Sequence, residues 1–578
     1  MDDLHKGIDF RIADKTFSQE RQAVASIDPS ICINCGKCRR ICPTEAIDEF
    51  QRVICRLCPD CAEGPEMFPV QSEQYAHEHA CSIACPLGTV PEGYVNLIAQ
   101  EKFIEAYELI SELNPLPAVC GRICHHPCED ECKRGTLIDK TVNIRGLKRF
   151  VTDNVKPIIA PFKQKLDKKI AIIGAGPAGI MAAFDLLKKG YKVTVFEAGP
   201  KSGGMMRLCI PDFRLDKEIL QSEIKTLEDA GMDIRYNAKI GSKPSINDLF
   251  KDKYSAVLIA VGASKGMALP IEGAEAEKVY NAVSLMSRIN AKIPVEIGRK
   301  AVVIGGGSVA LDTARTLLRA GTEEATCVCI EDSNSIPAWD WEIEEAKKEG
   351  VEFVTSSCPT SILTEWVTVK GVEFKKVKEI NCDEYGRLKP IVEDGTGFTI
   401  KADTVVFATG QKPDLTLLAK GADLNLNAAG MLDYDKETLM TEREGLFIAG
   451  DVTTAKGSVI DSLASGRKAA LMIDNMLMGR ELKDRTEHTL KTADAKEKIF
   501  PARLEKLSPQ IMPEIKDRNG FDEIEIGFSE KQAVLEAKRC LKCGYENVDS
   551  SKCIGCGVCL TICPVDAIML NKVQEGGC

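Results

Sequence analysis

The most regular pattern of apolar and polar positions spans residues 170–197. A short apolar run leads into a glycine-rich turn, an amphipathic stretch follows, and a second apolar run ends at Glu197. Short apolar strands that alternate with an amphipathic helix predict a βαβ unit with parallel strands. Residues 300–331 repeat this order, so the chain is predicted to contain two such units.

The first turn contains Gly174, Gly176 and Gly179. In a dinucleotide-binding unit the first glycine permits the tight turn. The second lets backbone N–H groups approach a pyrophosphate, and the third lets the helix pack on the strand. The helix N-terminus adds partial positive charge, and Glu197, about 20 residues further on, can accept a hydrogen bond from a ribose 2′-hydroxyl. These residues predict a dinucleotide site.

The second turn has the same design. Gly305 and Gly307 occupy the first two glycine positions, and Ala310 stands at the third, where alanine is tolerated. The predicted strand over residues 325–330 ends at Glu331, which can also accept from a ribose hydroxyl. A second dinucleotide site is therefore predicted.

Length and charge narrow the function classes. The 578 residues are too many for one hydrophobic core, so several domains are expected. The chain is acidic, with a formal net charge of -11, and it shows no stripe of basic residues that could bind phosphates. No nucleic-acid partner is therefore expected. No apolar run is long enough to span a membrane, and the first residues lack the order of a signal peptide. The sequence therefore predicts a cytoplasmic protein without a direct membrane span.

Cysteine is the most informative residue type in the composition. The chain has 25 cysteines, and most lie in short, regularly spaced groups near the two ends. In a cytoplasmic chain such groups indicate metal ligands rather than disulfides. The central cysteines lack this spacing and are interpreted as ordinary buried or surface residues: Cys209, Cys327, Cys329, Cys358 and Cys382.

The N-terminal group has the spacing C-x2-C-x2-C-x3-C-P. In bacterial ferredoxins, three thiolates of such a run hold one [4Fe–4S] cube and the fourth reaches another. Zinc also binds thiolates and is the alternative, but the trailing proline favours an iron–sulfur cluster. The run consists of Cys32, Cys35, Cys38 and Cys42. A three-cysteine group after it leaves a fifth cluster, a zinc site and an open site as alternatives: Cys55, Cys58 and Cys61.

The C-terminal group repeats the N-terminal run, and both have Cys-Pro followed by Ala-Ile. Each resembles half of a two-cluster ferredoxin. If the halves pair, Cys563 completes the N-terminal cluster and Cys42 completes the C-terminal one. Alternatively, each end forms a small cluster domain of its own. The C-terminal run consists of Cys553, Cys556, Cys559 and Cys563.

Residues 77–150 combine helical spacing with embedded cysteines, among them the phrase Cys-Gly-Arg-Ile-Cys that ends at Cys124. This region resembles the FAD-containing small subunit of glutamate synthase, the N-terminal part of dihydropyrimidine dehydrogenase and the large subunit of NADH-dependent ferredoxin:NADP oxidoreductase. The resemblance covers roughly residues 81–470. It implies two [4Fe–4S] clusters in a helical domain, with these candidate ligands: Cys81, Cys85, Cys120, Cys124, Cys128 and Cys132.

The family usually has a Cys-Leu-x-Cys pair just before the position of Cys81, and this chain lacks one there. Cys540 and Cys543 form such a pair near the C-terminus. We therefore expect them to fold back and join Cys81 and Cys132 on one cluster. The other cluster would use Cys85, Cys124 and Cys128. Its fourth ligand is open between the nearest thiolate and a non-cysteine ligand: Cys120 or a residue of 143–148.

The resemblance also implies FAD in the first dinucleotide site. The segment around Gly204 would lie beside the isoalloxazine. The apolar run that ends in Thr409 and Gly410 would return the chain to the FAD domain, and Gly450 with Asp451 would meet the ribityl chain. A dithiol mechanism is not expected, because the flavin region offers only Cys209.

NADPH-using relatives have arginines where this chain has Ile330 and Glu331. Because a carboxylate accepts from a free hydroxyl but repels a phosphate, NADH is predicted. The expected fold is multidomain α/β with an NAD(H) domain inserted in an FAD domain. A helical iron–sulfur domain and ferredoxin-like α+β segments are added to it. The expected divisions, including one linker before the last segment, are 1–75, 76–165, 166–285, 286–401, 402–480, 481–535 and 536–578.

A flavin accepts electron pairs and releases single electrons, so these parts predict a path from NADH through FAD to four or five [4Fe–4S] clusters. No domain for a second organic substrate is found, so the electrons are expected to pass to other redox subunits or ferredoxin. Electron bifurcation at the FAD is implied only by the resemblance. The alternatives are a glutamate synthase small subunit and a non-catalytic relay or scaffold.

Overall fold

The computed structural model divides the chain into two compact units, Met1–His79 with Leu541–Cys578, and Ala80–Cys540. No helix among the described residues is long and apolar enough to cross a membrane. The structure describes residues 23–28, 31–32, 34–35, 37–42, 46–54, 67–69, 80–137, 139–157, 159–383, 388–418, 426, 430–454, 457–482, 514–515, 520–548 and 558–572.

The smaller unit joins the two ends of the chain. Strand β1 pairs antiparallel with β23, and β2 lies between β3 and β22. Of the two arrangements left open by the sequence, the structure therefore has the paired one. The elements are β1 (Ala23–Ile27), α1 (Lys37–Ile41), β2 (Ile47–Ile54), β3 (Met67–Pro69), β22 (Gly544–Val548), a 3₁₀ turn (Val558–Ile562) and β23 (Ile568–Lys572).

The larger unit begins with a domain of short helices. Proline in the first turn starts several of them, because it supplies a helical φ and needs no N–H partner there. The helices are α2 (Ala80–Ile83), α3 (Pro91–Ala99), α4 (Phe103–Ser111), α5 (Pro117–Ile123), α6 (Pro127–Asp130), α7 (Lys133–Leu137) and α8 (Ile144–Asn154).

The first dinucleotide domain has a parallel sheet in the order β19-β7-β4-β5-β6. Its long helix α17 lies against α9, where Gly466 allows the contact because a Cβ there would be 2.2 Å from the carbonyl oxygen of Ala178. The strands are β4 (Lys169–Ile173), β5 (Lys192–Phe196), β6 (Asp233–Arg235), β7 (Tyr254–Ile259) and β19 (Leu446–Ile448). The helices are α9 (Pro177–Lys188), α10 (Met205–Leu208), α11 (Lys217–Asp229), α12 (Ile246–Lys251), α16 (Asp451–Thr454) and α17 (Val459–Leu477).

The second dinucleotide domain is inserted into the first, and the short strands β8 (Lys265–Gly266) and β18 (Gln411–Lys412) pair where the chain enters and leaves it. Its parallel sheet has the order β12-β11-β10-β17-β9, and an antiparallel sheet is added to it. The main elements are β9 (Val279–Asn281), α13 (Ala282–Asn290), β10 (Lys300–Ile304), α14 (Ser308–Arg319), β11 (Glu324–Val328), α15 (Asp340–Lys348), β12 (Glu352–Val354) and β17 (Thr404–Phe407). The added strands are β13 (Ser357–Glu365), β14 (Thr368–Cys382), β15 (Leu388–Val392) and β16 (Phe398–Lys401).

Strand β17 differs from its predicted place. We expected residues 404–410 to return to the first domain, but β17 pairs in parallel with β10 of the second sheet. Strand β9, at residues 279–281, also belongs to that sheet, before the expected boundary at residue 286. A short apolar strand fits the interior of either sheet equally well, so its pattern cannot identify its partner.

The expected linker 481–535 also differs in its last part. It contains β21 (Glu525–Gly527), and α18 (Glu530–Ala537) starts within it. Helix α18 packs on α3 and α8 of the helical domain. We call residues 523–540 the C-terminal clip. Within the expected linker, Glu523 and Glu525 pair with Arg122 and Arg145 of the helical domain.

Candidate flavin, nucleotide and iron–sulfur sites

The first glycine turn is closely packed on neighbouring backbone. Gly174 has φ 111°, and a Cβ there would lie 2.4 Å from the carbonyl oxygen of Ala260. A Cβ at Gly179 would lie 2.0 Å from the carbonyl oxygen of Gly174. Side chains are thus excluded where a dinucleotide-binding turn needs glycine. Ala260, at the end of β7, was not among the predicted residues; the repeated phrases Ile-Ala-Val-Gly at 259–262 and Phe-Ala-Thr-Gly at 407–410 were the available signal.

Glu197 is tied to the same turn. Its carboxylate accepts hydrogen bonds from the backbone N–H groups of Ala175 (3.0 Å) and Gly199 (2.8 Å). These bonds fix the orientation of the carboxylate, and each oxygen keeps a second lone pair for a ribose hydroxyl. The geometry therefore fits the predicted ribose contact.

The remaining predicted residues of the first site converge on this turn. A Cβ at Gly204 would lie 3.0 Å from Cα of Gly176, and one at Gly450 would lie 2.8 Å from the side chain of Ala178. Burial raises the pKa of Asp451, whose carboxylate accepts from the Ser462 hydroxyl at 2.8 Å. This narrow, glycine-lined cradle fits FAD.

The second turn repeats this packing. A Cβ at Gly305 would lie 2.4 Å from the carbonyl oxygen of Ala408, whereas one at Gly307 would meet no atom within 4 Å in the described chain. Open space beside Gly307 fits the approach of a pyrophosphate. Thr409 and Gly410 follow Ala408 and therefore adjoin this second turn, which corrects their expected place in the FAD domain.

The predicted third position and the acid of the second site are also in place. Ala310 is fully buried in α14. Glu331 lies just beyond the carboxyl end of β11, and its backbone oxygen accepts from the N–H of Ser356 at 2.7 Å. Asp332 beside it has another task, because its carboxylate accepts from Asn334 N (2.8 Å) and the Ser335 hydroxyl (2.9 Å). Asp332 is thus engaged within its own turn, and the Glu331 side chain lies beside Cys329.

The helical domain surrounds Tyr94 with cysteines. Tyr94 is fully buried, and its hydroxyl has no hydrogen-bond partner in the part of the chain that the structure describes. Burial and the surrounding thiols raise the pKa of Tyr94 well above its usual value. A buried hydroxyl without a partner beside soft sulfur donors fits an iron–sulfur cluster, whose sulfur atoms accept hydrogen bonds. The thiols are those of Cys128, Cys85, Cys81 and Cys124.

A buried cation faces the same group. Lys148 is 4% exposed, and its ammonium nitrogen lies 5.8 Å from the centroid of the Tyr94 ring. Burial raises the pKa of Cys120 to about 12, and Lys148 acts in the opposite direction. Among the described residues, no three His, Cys, Asp or Glu side chains have the spacing for a single metal ion. Tyr94 was not assigned from sequence, because on an amphipathic helix it looks like an ordinary packing position. Lys148 was considered only as the last residue of the range 143–148 that could supply the fourth cluster ligand.

The C-terminal clip brings Cys540 to the helical domain. The side-chain amide of Asn96 donates to Sγ of Cys540 at 3.6 Å. The structure thus places Cys540 beside α3 of the helical domain, while Cys543 belongs to the smaller unit. Arg539 holds the clip by donating to the carbonyl oxygens of Thr141 (2.9 Å) and Lys140 (2.8 Å).

Two charged side chains of the first dinucleotide domain, the buried Glu223 and the half-buried Arg467, bind the helical domain. Glu223 accepts from the N–H groups of Ala118 (2.6 Å) and Val119 (3.0 Å) at the start of α5. Arg467, on α17, donates to the carbonyl oxygens of Leu87 and Leu113. Sequence reasoning missed both, because a charged side chain that bridges two domains has no local signature. They fix the cysteine-bearing segments against the flavin-site helices.

The two histidines between the cysteines each lie against a tryptophan ring. The ring of His125 stacks on Trp339 with centroids 4.6 Å apart, and His126 lies beside Trp341 at 5.9 Å. Burial lowers the pKa of His126 to about 3. The helical domain thus also contacts the second dinucleotide domain.

In the smaller unit, the two cysteine runs have matching environments. The N–H of Ala46 donates to Sγ of Cys42, and the N–H of Ala567 donates to Sγ of Cys563, both at 3.3 Å. The runs share one hydrophobic core formed by Cys32, Cys38, Cys42, Cys559 and Cys563 with neighbouring apolar residues. Cys35 is also buried. The following candidate ligands lie outside the described residues: Cys55, Cys58, Cys61, Cys553 and Cys556.

Three family models match the chain. Residues 168–470 match pyridine nucleotide-disulphide oxidoreductase. Residues 74–158 match the 4Fe–4S cluster domain II of dihydropyrimidine dehydrogenase, and residues 25–48 and 546–569 match a 4Fe–4S binding domain. The matched parts correspond to the two dinucleotide domains, the helical domain and the two cysteine runs near the chain ends.

Three relatives share most of this arrangement. The NADPH-Fe(3+) oxidoreductase subunit beta of Geobacter sulfurreducens is 33% identical over 506 residues, which cover 80% of this chain and 75% of that protein. The NAD-dependent dihydropyrimidine dehydrogenase subunit PreT of Salmonella typhimurium is 34% identical over 69% of this chain and 92% of its own length. The glutamate synthase (NADPH) small chain of Azospirillum brasilense is 31% identical over 70% and 90%.

Proposed function

The chain belongs to the pyridine nucleotide-disulphide oxidoreductase family as a flavin and iron–sulfur electron-transfer subunit, and we propose that it oxidises NADH or, in reverse, reduces NAD. The electrons pass to or from partner redox subunits or ferredoxin. The observation that carries this proposal is a shared core. Cys85, Cys120 and Cys124 pack in the same hydrophobic cluster as Ala178 and Met181 of the flavin-site helix α9.

Bound FAD exchanges electron pairs with a nicotinamide and single electrons with iron–sulfur clusters. The chain's own residues position these groups. Glu223 and Arg467 hold the cysteine-bearing helices on the flavin domain, which keeps the separation between the two sites fixed. The groups bind through the glycine turns and thiols described above, and no side chain is required as an acid or base.

For the clusters, we propose four sets of thiol ligands. Cys120 is the fourth ligand of the cluster held by Cys85, Cys124 and Cys128. The alternatives Asn143 and Lys148 are less suitable, because Asn143 caps α8 and a protonated Lys148 has no lone pair to donate to iron. Cys55, Cys58 and Cys61 are left for a fifth cluster or zinc. The sets are Cys85, Cys120, Cys124 and Cys128; Cys81, Cys132, Cys540 and Cys543; Cys32, Cys35, Cys38 and Cys563; and Cys553, Cys556, Cys559 and Cys42.

The preference for NADH rests on Glu331. Relatives include proteins named for NADPH and for NAD, so the family alone does not decide the nucleotide. Glu331→Arg should raise the ratio of kcat/KM for NADPH to that for NADH by roughly 10- to 100-fold, since a charge-assisted hydrogen bond contributes about 1.5–3 kcal/mol. Glu323→Arg, the same charge change at the other end of β11, should leave the ratio unchanged. A wild type that already favours NADPH would refute this assignment.

The function is tested by mixing anaerobically purified full-length protein with NADH. We expect rapid loss of flavin absorbance followed by reduction of the clusters. Protein that holds FAD but does not bleach would support the relay alternative. Co-purification with an amidotransferase would support the glutamate synthase alternative. Bifurcation would require two acceptors of different potential to be reduced together. We place this activity in the cytoplasm, where thiols stay reduced.

A further inference from the structure

Lys148 differs from the other buried cations of the helical domain. Arg122, Arg134 and Arg149 are each paired with a carboxylate, with ion-pair distances of 2.7 Å, 2.6 Å and 3.2 Å. Lys148 makes no such pair with a described carboxylate. Instead, helix α8, which carries Lys148, packs against α5 and α6, which carry Cys120 and Cys128. This packing places the Lys148 side chain within electrostatic reach of four thiols, those of Cys120, Cys124, Cys85 and Cys128.

A buried cation needs compensation, because transfer of an unpaired charge from water into a protein interior is costly. The side chain is 4% exposed, and the face of Tyr94 offers only a weak cation–π contact at 5.8 Å. Neutral thiols do not compensate an ammonium. Thiolates bound to an iron–sulfur cluster would, because such a cluster with four cysteine ligands carries net negative charge.

We propose that Lys148 is the counter-charge of the cluster held by Cys85, Cys120, Cys124 and Cys128, and that it raises the reduction potential of that cluster. This inference rests on the proposed ligand set. Reduction adds one electron to the cluster; no bond forms or breaks, and Lys148 keeps its proton. Since the reduced cluster is more negative by one charge, a buried cation stabilises it more than the oxidised cluster. Lys148 therefore acts on the cluster through its positive charge and is not a ligand of the iron.

The test is a redox titration of the full-length protein followed by electron paramagnetic resonance. The signal of this cluster is the one that Cys85→Ser removes. Lys148→Met should lower the midpoint potential of this cluster. At a fixed potential the ratio of reduced to oxidised cluster should fall about tenfold, which corresponds to ~59 mV for one electron. Lys148→Arg should keep the wild-type midpoint, and Lys140→Met, at an exposed position of the same domain, should also leave it unchanged.

An unchanged midpoint in Lys148→Met would overturn the inference. If Lys148→Met and Lys148→Gln lose the cluster while Lys148→Arg retains it, the charge requirement is supported. Loss in Lys148→Arg as well would indicate a packing role and overturn it. If Cys85→Ser removes no signal and no iron, the proposed ligand set fails, and that result is distinct from an unmoved midpoint.

Discussion

Arg539→Met should release the C-terminal clip from the helical domain. Arg539 and Glu536 form an ion pair of 2.7 Å whose side chains are 1% and 0% exposed. Glu536 also accepts from the N–H of Asn143 at 2.9 Å, and Arg134 donates to the carbonyl oxygen of Arg539 at 2.7 Å. Cys540 follows directly, so loss of this cluster of contacts should displace its thiol.

The magnitude follows from the burial of the pair. Removing one partner of a buried ion pair costs about 3–5 kcal/mol, because the other charge stays buried without compensation. In Arg539→Met, Glu536 would lose its ion-pair partner, and the backbone oxygens of Thr141 and Lys140 would lose their donor. At 1.4 kcal/mol per tenfold, the docked clip should become roughly a hundredfold to a few thousandfold less favoured.

Iron analysis and thermal melting measure this effect. Arg539→Met should lose about four iron atoms per chain, as should Cys540→Ser, since one [4Fe–4S] cube would lack a ligand. Lys538→Met, an exposed neighbour, is the control and should keep both iron and melting temperature. The double variant Glu536→Gln with Arg539→Met should be more stable than Arg539→Met alone, because no charge is then left buried. Full iron content and wild-type melting in Arg539→Met would refute this reasoning.

Two other contacts give testable outcomes. Tyr94→Phe should lower the midpoint potential of the cluster beside it without loss of iron, because a hydroxyl hydrogen bond to cluster sulfur favours the reduced state; an unmoved midpoint would contradict that bond. Burial raises the pKa of Glu223 from 4.5 to about 7. The folded state therefore binds this proton more tightly, so stability is greatest below the unfolded pKa and falls by roughly 3 kcal/mol as pH rises to about 7. Melting of wild type and Glu223→Gln across this window should diverge in that direction, and parallel curves would count against it.

The local sequence was sufficient to predict features that depend on a few neighbouring residues. The glycine turns at Gly174 and Gly305 and the spacing of Cys32 to Cys42 were assigned correctly as elements, because each depends on backbone constraints within a few residues. The same reasoning could not place β17, whose apolar residues suit either sheet. It also placed Glu523 and Glu525 in a linker, because their partners Arg122, Arg145 and Arg149 are remote in sequence.

The sequence by itself determined which parts the protein has. These are two dinucleotide-binding domains, one inserted in the other, and cysteine runs of ferredoxin type. Only the tertiary structure decided which parts meet. It pairs β1 with β23, lays α18 on α3 and α8, and encloses Tyr94 and Lys148 among thiols. The physical reason is that turns and ligand spacing depend on near neighbours. Strand partners, buried ion pairs and the charge around a site depend instead on residues hundreds of positions apart.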